Sequence, residues 1–311
     1  MKGSGGPTWK KSSTAIDGSC PPKVQFATSN PMQIIDTHQH LWDLDLFRYS
    51  WLDSFSPLNR SFRMTDYREA ASGLEVVKSV HLEADVDEPY MLDETRHLLA
   101  LAEQPDNPLE GVVACGRPES ENFRSYLDKI TGHRKLKGIR RVLHTQPDEV
   151  GRGSTFVKNV AALSEYGLSF DICVLARQLP ITIDLVKRCP NTTFVLDHCG
   201  VPRVKERDLD PWRAHIAEIA RIPNVVCKIS GLVAYADPKS WTVVDLQPFV
   251  EHVIASFGWD RVVFGSDWPV CTLSASFAQW VDALKSITQP AGESNQRKLF
   301  HDNAMRVYHL S

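Results

Sequence analysis

Short apolar runs rich in β-branched and aromatic residues recur at 33–38, 76–83, 110–115, 136–143, 169–174, 193–197, 224–228 and 262–266. Runs of this length and composition read as strands, and a run without strict alternation as one buried on both faces. The segments between them carry apolar residues at helical spacing. Residues 90–102 hold Leu92, Leu98, Leu99 and Leu101, and residues 122–130 hold Phe123, Leu127 and Ile130. Helices are likewise predicted over 155–166 (with Ser154 as N-cap), 179–189, 211–220, 246–257, 276–287 and 295–308. Pro180, Pro211 and Pro248 fall near predicted helix starts, where a missing N–H costs nothing. Eight strands, each followed by a helix with no break in composition, predict an α/β fold of the (β/α)8 TIM-barrel type, as one domain over 32–311. Segment 41–75 is longer than an ordinary connection and holds Trp42, Phe47, Tyr49, Trp51, Phe55 and Phe62, as an ordered lid or pocket wall would, although plain packing suits most of these rings better. Residues 1–31 are rich in Gly, Ser, Thr, Lys and Pro without periodicity and are expected to form a flexible extension.

Bulk properties narrow the classes. The chain of 311 residues is 42% apolar and 23% charged, with a net charge of −3. No long basic stripe favours nucleic acid, and no apolar stretch has the length of a membrane span. The short basic clusters Lys135/Lys137/Arg140/Arg141 and Arg203/Lys205/Arg207 read as solvated or strand-flanking charges, with one Arg on an anionic substrate as the alternative. The seven cysteines are scattered without a C-x-x-C, and Cys115, Cys173, Cys199 and Cys227 lie in or beside strand runs. That pattern suits buried small hydrophobes in a reducing compartment, so a cytoplasmic location is expected. No assembly motif stands out; a homo-oligomer is compatible with the sequence.

The candidate chemistry sits at strand ends. His38 and His40 close the first run, and a period of two points both imidazoles the same way. Such a pair is half of a metal site or one wall of a polar pocket. His198 follows the sixth run and Asp267 the eighth. Catalytic groups of a barrel gather at the carboxyl ends of its strands, so all four converge on one cavity. His81, Glu83, His144, Arg177, Lys228, Trp51 and Trp268 are candidate substrate contacts, Glu83 and His144 foremost, with Asp171 orienting a neighbour; a satisfied core polar group or a packing ring is the equal alternative for each.

Five strings give these residues a family context: Ile35-Asp36-Thr37-His38-Gln39-His40-Leu41-Trp42, Arg177-Gln178-Leu179-Pro180, Val195-Leu196-Asp197-His198-Cys199-Gly200, Cys227-Lys228-Ile229-Ser230-Gly231-Leu232 and Phe264-Gly265-Ser266-Asp267-Trp268-Pro269-Val270-Cys271. Together they resemble the amidohydrolase superfamily over nearly all of 32–309, and most of all its sugar-lactonase branch, which includes L-fuconolactonase-like, L-rhamnonolactonase-like and dicarboxylate lactonases. The resemblance implies a (β/α)8 barrel that hydrolyses a lactone, with His38, His40 and His198 as metal ligands or electrophile-binding groups. It makes Asp267 both a ligand and the proton acceptor, with His198 beside it in catalysis. The fourth strand ends Arg140-Arg141-Val142-Leu143-His144, without the Lys or Glu that bridges two metals in binuclear members. One divalent metal, Zn2+, or none is therefore expected. The expected substrate is an aldonolactone such as L-fucono- or L-rhamnonolactone. The alternatives are a pyrone-type dicarboxylate lactonase, a metal-dependent decarboxylase and a non-catalytic ligand-binding barrel.

Overall fold

The computed structural model describes residues 32–311; the expected flexible extension over 1–31 lies outside the described residues. Eight strands form one sheet in sequence order: β1 (Ile34–Gln39), β2 (Val76–Leu82), β3 (Leu109–Cys115), β4 (Leu136–Val142), β5 (Ser169–Cys173), β6 (Phe194–Leu196), β7 (Val225–Ile229) and β8 (Val262–Phe264). Every neighbouring pair from β1/β2 to β7/β8 is parallel. Each predicted strand is present, and with the surrounding helices the result is a (β/α)8 barrel.

The seam between β8 and β1 is closed largely by side chains. Thr37 Oγ1 donates to Phe264 O at 2.6 Å, and the Ser266 N–H and hydroxyl both donate to the Asp36 carboxylate, at 2.7 and 2.6 Å. Two main-chain bonds finish it: Asp267 N–H to His38 O at 2.7 Å and His40 N–H to Trp268 O at 2.8 Å. Gly265 permits this approach, because a Cβ there would lie 2.5 Å from His38 Cβ. The residues expected to do chemistry thus sit at the closing point of the barrel.

An inner apolar cluster of Ile35, Val80, Val113, Val195, Val226 and Val263 packs against Tyr308 and Leu310. Lys78 and Lys137, near the amino ends of β2 and β4, donate to Ser311 O and His309 O. The C-terminal segment therefore seals the end of the barrel opposite the candidate site. Its helix differs from the prediction: Glu293–Arg297 passes through a π turn over Lys298–Asp302 before Asn303–Val307. Two helices escaped the pattern, Met64–Ala70 and Asp148–Arg152, each too short to display a period. The predicted 246–257 helix starts earlier, at Val243, because Thr242 and Asp245 form a capping box; Pro248 is consequently inside it. Ser154 is the first helical residue rather than the cap, which is Gly153.

Segment 41–75 is ordered and packs as expected: Trp42, Tyr49 and Phe62 are buried, and Trp42 bridges Phe62 in antiparallel fashion. Beneath it, Tyr49 donates its hydroxyl to Glu94 Oε1 at 2.8 Å. Burial, aided by the charge of Glu83, pushes the Glu94 carboxyl up to about 8. A carboxyl raised on folding adds stability that is complete below its ordinary 4.5 and is lost as pH climbs toward 8. Melting temperatures measured from pH 5 to pH 9 should therefore fall more steeply for the wild type than for Glu94→Gln. Parallel curves would contradict the burial of an ionisable group here.

Candidate active site

His38 lies within β1 and His40 one residue beyond it, and their Nε2 atoms face each other at 3.1 Å. Leu82 O accepts from His40 Nδ1 at 2.8 Å, which leaves the Nε2 lone pair directed at the cluster. Asp267 Oδ1 is 3.5 Å from His38 Nε2 and 3.4 Å from His40 Nε2. His198 stands beside this trio, its ring centroid 4.5 Å from that of His38. Its Nδ1 is 2.9 Å from Ser230 Oγ and 4.0 Å from Asp267 Oδ2. His198 (φ 53°), Cys199 (φ 55°) and Asp267 (φ 59°) all adopt left-handed backbone. Non-glycine residues held there store of order 1–3 kcal/mol each, and such strain clusters at functional sites.

The donor set suits a single cation. A tetrahedral ion bound at about 2.0–2.2 Å holds its ligand atoms about 3.3–3.6 Å apart. Asp267 Oδ1 stands at that spacing from both imidazoles, 3.5 Å from His38 Nε2 and 3.4 Å from His40 Nε2, and the two Nε2 atoms at 3.1 Å need to part by only about 0.2 Å to reach it. A second group of donors, His38, Asp197 and His198, shares His38 with the first.

Burial holds the His38 imidazole well below its ordinary pKa and lowers that of His198, so both are neutral at pH 7. Neutral imidazole is the form that ligates metal or accepts a hydrogen bond. His144 is brought down to about 4, by burial and then by the nearby His198; its Nδ1 lies 3.2 Å from Cys173 Sγ.

A buried chain of alternating charge runs below the histidines. Arg140 Nε donates to Glu83 Oε1 at 2.9 Å, and the same guanidinium comes within 3.2 Å of His38 Nε2 and 3.4 Å of Asp197 Oδ2. Lys228 Nζ is 2.9 Å from both Asp197 Oδ1 and Asp171 Oδ2, and Tyr308 donates its hydroxyl to Asp171 Oδ2 at 2.7 Å. Burial works to raise the Asp197 carboxyl, but Lys228 and His38 outweigh it and hold the group well below the usual carboxylate range. Asp197 Oδ1 is also 3.4 Å from His38 Nδ1, so this anion steers the ring that faces Asp267.

The expected substrate contacts fare differently. Lys228 is fully buried between two carboxylates. Arg177 has an exposed side chain, paired with both oxygens of Asp148. Glu83 is held by Arg140 and by the Asp85 N–H. His81 is buried, its Nδ1 accepting from Leu41 N–H, with its ring 6.3 Å from that of His40. Trp51 donates to Ala84 O, and buried Trp268 packs on Phe62 and Tyr67. Asp171 does orient a neighbour, Lys228. The reading of Arg140 and Arg141 as solvated charges is overturned, since both are buried, Arg141 on Glu119 at 2.8 Å. Alternation along β4 carried the missing signal: Arg140 shares a face with Gly138 and Val142, and that face enters the barrel.

Gly231 makes room for His198. Its φ is +67°, and a Cβ there would lie 2.4 Å from His198 Nδ1. Displacing a catalytic ring by about 1 Å costs about 10²-fold in rate. Gly231→Ala should lower kcat/KM by that order while circular dichroism remains native, and unchanged kinetics would contradict this placement.

A parallel eight-stranded barrel with neutral imidazoles and a carboxylate at the carboxyl ends of β1, β6 and β8 defines an enzyme built to handle protons beside an electrophile. The amidohydrolase family model matches residues 35–310, and the chain belongs to that family of hydrolases. L-fucono-1,5-lactonase of Burkholderia multivorans is 30% identical over 293 residues, covering 89% of this chain and 96% of its own length. L-rhamnono-gamma-lactonase of Scheffersomyces stipitis is 22% identical over 345 residues, covering 89% of this chain and 99% of its own. A crystal structure of an amidohydrolase from Burkholderia multivorans with bound zinc has a TM-score of 0.81 at 29% identity, covering 90% of this chain and all of that one. Among the described residues no helix is long and apolar enough to cross a membrane, and the six described cysteines are free and buried.

Proposed function

We propose that the protein hydrolyses a sugar-acid lactone of the L-fucono- or L-rhamnonolactone kind. The observation that carries this reading is the His38–His40–Asp267 trio, within 3.5 Å, in a chain 30% identical to an L-fucono-1,5-lactonase over 89% of its length. The Asp267 carboxylate accepts a proton from water as the water oxygen bonds to the lactone carbonyl carbon. His198 hydrogen-bonds the developing oxyanion, and the Arg140 guanidinium, 3.2 Å from His38 Nε2, adds a fixed positive field. As the ring C–O bond breaks, Asp267 returns its proton to the departing alkoxide, and the product is an open hydroxy acid. His38, His40 and Asp267 are the residues that would hold a divalent metal, Zn2+, which when bound lowers the pKa of water and polarises a carbonyl.

Proton release from a panel of sugar 1,4- and 1,5-lactones and 2-pyrone-4,6-dicarboxylate tests the reading, alongside metal content measured on the purified protein. Turnover of a deoxy-sugar lactone with about one zinc per chain is expected. Turnover confined to the dicarboxylate would overturn the sugar assignment, and a metal-free protein with full turnover would overturn the zinc assignment alone.

A further inference from the structure

Ser230 lies one residue beyond β7 and is fully buried beside His198. Among the described residues its Oγ has two partners, both on that histidine: the main-chain N–H at 3.3 Å and the ring Nδ1 at 2.9 Å. Asp267 Oδ2 stands 4.0 Å from the same Nδ1, beyond hydrogen-bond reach. The other ring nitrogen, Nε2, has no partner among the described residues.

The number of hydrogens at this oxygen decides which ring nitrogen carries one. A serine hydroxyl gives one hydrogen and accepts on two lone pairs. One lone pair takes the His198 main-chain N–H, because an amide nitrogen only donates. If Nδ1 also carried a hydrogen and donated it, the serine hydrogen would have no acceptor in a fully buried place, at a cost of about 1–3 kcal/mol. A doubly protonated ring fails in the same way. When the hydroxyl donates to Nδ1 instead, every hydrogen is used, and the single ring hydrogen sits on Nε2.

We infer that Ser230 is a positioning residue: its hydroxyl fixes His198 in the Nε2–H tautomer and makes that histidine a hydrogen-bond donor rather than a metal ligand. An imidazole ligates through a lone pair, and here one nitrogen carries hydrogen while the other is spent on Ser230. The metal is left to His38, His40 and Asp267. On the lactone reading, which this inference rests on, the acceptor for Nε2–H is the carbonyl oxygen as it gains charge. Ser230 and Gly231 thus act on one ring nitrogen, the first by bonding it and the second by leaving it room.

The test is proton–nitrogen correlation NMR of the full, zinc-loaded chain carrying isotope-labelled histidine, recorded without substrate, with His198→Asn to assign the signals. Nε2 couples to both ring C–H protons and Nδ1 chiefly to one, which tells the two nitrogens apart. The wild type should show a protonated Nε2 and a bare Nδ1 for His198. In Ser230→Ala the two signals should move toward each other as the tautomers mix. The kcat of Ser230→Ala on its lactone should fall about 10- to 100-fold, the usual cost of losing a partner that orients a histidine, with KM little changed. A bare or metal-bound Nε2 in the wild type, an unaltered tautomer in Ser230→Ala, or wild-type kcat in Ser230→Ala would each overturn the inference. Failure of the lactone reading has a different signature: no lactone is turned over by the wild type, while its spectrum still shows Nε2 protonated through Ser230.

Discussion

Asp267→Asn is expected to lower kcat by about 10²–10⁴-fold, the range for loss of a positioned general base, while leaving the fold intact. The two halves of this expectation have separate causes. The turn that presents residue 267 is fixed by its main chain, through Asp267 N–H to His38 O and Cys271 N–H to Asp267 O, and an amide side chain disturbs neither bond. Asn tolerates the left-handed backbone required there (φ 59°) as well as Asp does. What the substitution removes is the only carboxylate within 3.5 Å of both His38 Nε2 and His40 Nε2 among the described residues. KM should change far less than kcat, because the lost group acts on the proton rather than on the sugar. A variant with wild-type turnover would show that another residue takes the proton.

The largest effect on stability is expected from Lys228→Met. Lys228 is wholly buried, donates to Asp171 and is ion-paired with Asp197, and both acids are themselves wholly buried. Removing one partner of a buried ion pair costs about 3–5 kcal/mol, because the anions left behind remain desolvated. Asp197 retains Arg140 at 3.4 Å and Asp171 retains the Tyr308 hydroxyl, and neither replaces an ammonium at 2.9 Å. Activity should fall as well, since Asp197 stands 3.4 Å from His38 Nδ1 and steers that ring. The double variant Asp171→Asn/Lys228→Met removes one of the stranded charges and should recover about 0.5–3 kcal/mol. Urea midpoints of the three proteins decide the matter. A Lys228→Met protein within about 1 kcal/mol of wild type would mean that the charges are better solvated than this geometry allows.

The barrel was legible because its strands are buried on both faces and so read as continuous apolar runs, while period two placed His38 and His40 side by side. Positions that depend on three-dimensional closure were harder to read. Arg140 reads as one of four solvated charges because the groups that enclose it, Glu83, His38 and Asp197, lie 57 or more residues away in the chain. Lys228 reads as a candidate substrate contact and Asp171 as a residue that orients a neighbour, yet their pairing follows from barrel radius and register, which no local pattern encodes. The Arg177–Asp148 pair had no local signal either, because it joins the turn Ala176–Gln178 to a helix 29 residues upstream.

One NMR time course tests the central claim most directly. L-fucono-1,5-lactone is followed in neutral buffer with and without the purified protein. The account predicts that catalytic amounts of protein convert the ring ester to the open hydroxy acid far faster than buffer, and that Asp267→Asn does not. Identical decay with and without wild-type protein, for this lactone and for L-rhamnono-gamma-lactone, would contradict it.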